Sequence, residues 1–143
     1  MKKPQFSWDP KDGAALCIIY DKNNVYYGTA KCHPEDTDMM SEKTGCEIAY
    51  MRAVLQALKK QQDELKCELK GLKKYYYSIN QSKYFNKDSY EVRRLISHIK
   101  LKTEDIAVLK ELIKAQKERL NDFLKNKSAF YQKIRQNRMD ENK

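Results

Sequence analysis

Lys125, Lys127, Lys133, Arg135 and Arg138 crowd residues 125 to 138 without one acid among them, and Phe130 and Tyr131 stand in their midst. Ammonium and guanidinium groups grip phosphate oxygens, arginine doing so as a planar fork, and aromatic faces stack on bases. Such a segment suits a nucleotide or a nucleic acid. The structural explanation is equally direct: cations near a helix carboxyl end offset its dipole, and Phe130 and Ile134 fall at core spacing. A second group lies near the amino end, where Lys31 and His33 precede Glu35, Asp36, Asp38 and Glu42. Carboxylates there repel a long phosphate chain but accept hydrogen bonds from ribose hydroxyls or a base amine, so the mixture favours a compact nucleotide. Arg52, in Ala49-Tyr50-Met51-Arg52-Ala53, is placed to reach a pocket or to bond a neighbouring element.

Catalytic signatures are missing. The chain has no G-x-S-x-G, no Walker glycine loop, no H-E-x-x-H and no G-x-G-x-x-G, and its two histidines, His33 and His98, are far apart. Cys17, Cys32, Cys46 and Cys67 form no C-x-x-C pair, so they are expected to be reduced and structural. A metal held by Cys32, His33 and Cys46 would need adjacent ligands in strained geometry and a fourth donor that is not evident. Binding without catalysis, and without metal or cofactor, is the expectation.

Heptad rows must position these groups. Ile48, Met51, Leu55, Leu58, Gln62, Leu65, Leu69, Leu72, Tyr76 and Ile79 alternate steps of three and four, the spacing that keeps one stripe on one helix face. After a polar break at 80–88 the rule resumes from Val92 through Leu95, Ile99, Lys102, Ile106, Leu109, Ile113, Gln116, Leu120, Phe123, Lys127 and Phe130 to Ile134. These rows predict helix one over 41–82, opened by a cap at Ser41 or at Thr44-Gly45-Cys46-Glu47, and helix two over 89–138, opened at Ser89 unless Thr103-Glu104-Asp105 interrupts it. Upstream, residues 1–13 read as an extended arm, and Asp21-Lys22-Asn23-Asn24 between apolar runs signals a β-hairpin within 14–40. Its apolar side, given by Leu16, Ile18, Tyr20 and Tyr26 or Tyr27, is expected on the helices or on another subunit.

The fold class is therefore mainly α with a small β element, a hairpin followed by two long antiparallel helices in one domain over 14–143. If the helices fold back about the break, facing residue numbers sum to about 171 at equal rise, which sets the turns from Phe130 to Arg135 beside the elbow from Asp36 to Ser41. Ile96, Leu101, Leu112, Leu124, Tyr75 and Tyr77 fall outside the strict seam, and a homodimer or ring of dimers would cover them. With 143 residues, a net charge of +9 and no stretch of the ~20 apolar residues of a membrane span, a cytosolic protein without membrane attachment is expected.

The run Gly28-Thr29-Ala30-Lys31-Cys32-His33-Pro34-Glu35-Asp36, followed by Gly45, Ile48-Ala49, Arg52-Ala53 and Phe130-Tyr131-Gln132-Lys133-Ile134-Arg135, resembles the first class of phage Thoeris anti-defence proteins. The resemblance extends to the layout of a small β element before two long helices. It implies a sponge that sequesters cyclic ADP-ribose-type signals made by an immune TIR enzyme in the host cytoplasm, and in some members cyclic oligonucleotides, without cleaving them. Pockets between protomers are implied, drawing on Lys31, His33, Asp36, Arg52, Phe130, Tyr131, Lys133 and Arg135. The competing class is a basic helical hairpin that binds nucleic acid or a partner helix through Lys59, Lys60, Lys66, Lys70, Lys73 and Lys74.

Overall fold

The structure, a computed structural model, describes residues 3–31, 41–82 and 89–141. Three strands, β1 (Gln5–Asp9), β2 (Ala14–Asp21) and β3 (Asn24–Lys31), precede two helices, α1 (Glu42–Gln81) and α2 (Tyr90–Glu141). The strands form one antiparallel sheet in the order β1-β2-β3. Among the described residues no helix is long and apolar enough to cross a membrane.

The mainly α fold with a small amino-terminal sheet is as expected, but the sheet has a third strand. Residues 5–9, read as part of an extended arm, pair along β2 from Gln5 opposite Ile18 to Asp9 opposite Ala14. The loop between them is Pro10-Lys11-Asp12-Gly13, in which Asp9 Oδ1 accepts from the Lys11 N–H at 3.0 Å and Gly13 takes a φ of 60°. A proline to begin the turn, a carboxylate closing an Asx turn and a glycine in the left-handed region make the hairpin signal that marks β1. The second turn falls where expected, with Asp21 opposite Asn24 and Lys22 at a φ of 54°.

Contacts group the chain into two compact units, Met1–Ala57 with Lys114–Lys143, and Leu58–Ile113. In the first, Ala15, Cys17, Ile19, Tyr26 and Ala30 of the sheet are buried with Ile48, Ala49, Ala53 and Ala57 of α1 and Leu120 of α2. Of the expected apolar side, Tyr26 is buried against α1, but the helices take the face opposite to Leu16, Ile18 and Tyr20, leaving Tyr20, Val25 and Tyr27 exposed. Both faces of Ala-Ala-Leu-Cys-Ile-Ile-Tyr are apolar, so alternation cannot choose between them. Size does. A Cβ on Gly28 would stand 2.1 Å from the Ala49 carbonyl oxygen and 2.4 Å from the Ala53 nitrogen, so strand and helix touch backbone to backbone. At that contact the small residues Cys17, Gly28 and Ala30, set against the Ala49-Ala53-Ala57 stripe, permit the approach, while Ile19 and Tyr26 of the same face are buried in the core.

The second unit pairs its parts of α1 and α2 antiparallel. Ile79, Val92 and Leu95 are buried, with Leu72, Tyr76 and Ile99 packed on them. Lys102 pairs with Glu68 here, and in the first unit the Gln116 amide donates to the Met51 carbonyl at 3.2 Å. Both pairs fall within about one helical turn of the facing positions expected from equal rise. Every seam residue named from the heptad rows is buried or half-buried except Phe130, which is exposed.

Caps set the helix starts. Ser41 Oγ accepts from the Thr44 N–H at 3.1 Å, so Ser41 and not the Thr44 box opens α1, while Thr44 is itself buried. Ser89 Oγ accepts from the Val92 N–H at 3.3 Å and opens α2 as expected. Thr103 does not interrupt that helix, because its hydroxyl donates back to the Ile99 carbonyl at 2.8 Å and the helix runs on to Glu141.

Candidate functional site

The expected site residues fall into two described groups in the first unit, and His33 and Asp36 lie outside the described residues. The juxtaposition of the elbow with Phe130 to Arg135 therefore falls outside them as well.

The first group surrounds the end of β3. In the sheet register Asp9, Ala14 and Lys31 share one row, and Ser7, Leu16 and Thr29 the next. Because the middle residue of the outer row is alanine, the sheet surface sinks between Asp9 and Lys31 into a depression of about 390 Å³ with Leu16 in its lining. A cation and a carboxylate thus face each other across a shallow apolar floor.

Arg52 reaches the same strand. Its Nη1 donates to the Thr29 carbonyl at 2.7 Å, and one helical turn later the Gln56 side-chain oxygen accepts from the Tyr27 N–H at 2.7 Å. In an edge strand the N–H and C=O of alternate residues point away from the sheet, and here two of those groups are taken by side chains of α1. Arg52 is accordingly a clamp on the sheet edge, half-buried and anchored to backbone. Sequence reasoning gave Arg52 a reach toward a neighbouring element but missed Gln56, whose spacing of four residues from Arg52 was the available signal.

The second group lies toward the end of α2. Phe130 and Tyr131 have ring centroids 5.9 Å apart at 55°, and Lys127 Nζ lies 5.5 Å from the Phe123 ring and 6.0 Å from the Phe130 ring. Phe123 packs against the core, so the aromatic and basic group is rooted there, while Phe130 is 54% exposed and Lys133 and Arg135 are exposed. Ring faces flanked by cations can take up a planar base and an anion together.

The thiols do not add to the site. Burial pushes the Cys17 thiol above its usual range, and the nearby Cys46 adds to the shift. Cys46 is raised likewise, by burial first and then by Glu42. Cys17, Cys46 and Cys67 are free, and among the described residues no cluster of His, Cys, Asp and Glu could hold a metal ion. Comparison with known protein families, curated proteins and solved structures finds no match.

Proposed function

We propose that the chain sequesters a cyclic ADP-ribose-type nucleotide without cleaving it, and by doing so in the host cytoplasm blocks a TIR-based antiviral defence. The reading is carried by the Phe130-Tyr131 pair, Phe130 exposed and Tyr131 half-buried, with Lys127, Lys133 and Arg135 close in sequence, a stacking surface with phosphate donors rooted in the core through Phe123. Lys31, with Arg52 bonded to Thr29 on the same strand, supplies a second cationic group, and His33 and Asp36 stand two and five positions after Lys31 in sequence. The resemblance to phage Thoeris anti-defence proteins adds the ligand class. A dimer or ring of dimers fits the exposed sheet face of Tyr20, Val25 and Tyr27, and would enclose the ligand between protomers.

A sponge needs slow release, and nanomolar affinity corresponds to about 12 kcal/mol, which requires an enclosed site with stacking and paired charges. Calorimetry with cyclic ADP-ribose isomers and cyclic oligonucleotides tests the reading. Heat is expected with at least one of them, and the ligand should be recovered intact after the complex is heated. Silence with every nucleotide, or recovery of a hydrolysed product, ends it.

A further inference from the structure

The second unit carries a feature that nucleotide capture leaves unused. From Leu69 to Ser82 and from Ser89 to Thr103 the chain has seven Lys and Arg side chains against Glu91 alone. Within α1, Lys66, Lys70, Lys73 and Tyr77 recur at steps of four, three and four, which sets them on one face along about 17 Å of helix. Lys66, Lys70 and Lys73 line a groove of about 260 Å³ whose floor is Leu69. All three lysines are exposed, and Tyr77 is 65% exposed. Glu68 is turned away from this row and pairs with Lys102 of α2.

We propose that this row binds single-stranded nucleic acid, the lysines following the phosphates and Tyr77 stacking on an unpaired base. A linear file of cations ending in an aromatic face matches a flexible polyanion whose bases are free, because every base offers a ring face and no hydrogen-bond code is needed. A membrane surface fits less well. It needs a continuous apolar stripe to bury, whereas this face has only the half-buried Leu69 and one tyrosine with a polar tip. A duplex offers phosphates but no base for Tyr77. The row belongs to residues other than those assigned to nucleotide capture, so either proposal can fail alone.

The experiment is fluorescence anisotropy of a labelled 20-nucleotide single strand with the full-length protein. Affinity should fall about eighteen-fold between 50 and 200 mM salt if about three phosphates are neutralised. The triple variant Lys66→Glu, Lys70→Glu, Lys73→Glu should abolish binding, while Lys11→Glu, Lys22→Glu, Lys117→Glu, which changes net charge equally, should retain most of it. Tyr77→Ala should weaken binding about ten-fold at an unchanged salt slope, and Tyr77→Phe should preserve it. Equal loss in both triple variants, no effect of Tyr77→Ala, tighter binding of a duplex of the same length, or preference for phosphatidylserine vesicles would each overturn the proposal. Tyr77 is exposed, so its pair of variants remains informative if the triple variant loses its helical circular dichroism.

Discussion

Gly28 stands where any side chain would run into helix backbone, and neither the Ala49 carbonyl nor the Ala53 amide can yield without parting sheet from helix. Gly28→Ala should therefore cost at least about 3 kcal/mol in urea unfolding, near the upper range of single substitutions, whereas the same change at Gly71, with nothing around its would-be Cβ, should stabilise α1 by about 1 kcal/mol. The thiols give a pH test with a definite sign. Cys17 is fully buried and its folded pKa is raised, so its stabilisation is present below the unfolded thiol range and is lost as pH climbs through the folded value. The melting temperature should drop between pH 8 and pH 10, and less steeply in Cys17→Ala. Alkylation at pH 8 followed by mass spectrometry should label the exposed Cys67 before Cys17. Residue type alone disclosed the cations and aromatics of the candidate site, since composition is enough to find a basic, acid-free segment. It could not disclose that Arg52 is spent on Thr29, because the partner is a backbone carbonyl, which leaves no mark in a sequence.

Among the elements, heptad spacing revealed both helices to within three residues at every end, because a seam repeated over many turns leaves little choice of face. The sheet was less legible. β2 is apolar on both sides, and the contest was decided by the small side chains of Cys17, Gly28 and Ala30 against the alanine stripe, a matter of volume that a polar and apolar pattern does not record. The start of α1 turned on one hydroxyl, and Ser41→Ala should cost about 1 kcal/mol while Thr44→Ser leaves the cap intact. Glu68→Gln should change stability by no more than about 0.5 kcal/mol, since its pair with Lys102 is exposed to solvent. Thermal melts of the three variants check both statements.

At the scale of the molecule, the outward sheet face with its exposed Tyr20, Val25 and Tyr27 is where the proposed assembly can be tested. Tyr27→Lys with Val25→Lys should shift native mass spectra toward the monomer and weaken nucleotide uptake, with the helical circular dichroism unchanged, if a second copy covers that face. Retention of the larger species would place the interface elsewhere. The side chains of Arg52 and Gln56 have a related effect on how far such joining can go. With Tyr27 and Thr29 of β3 already bonded to α1, an additional strand would join the backbone ladder along β1, the other margin of the sheet. Growth by this route would stop after a single pairing, at a six-stranded twin, rather than continue strand by strand.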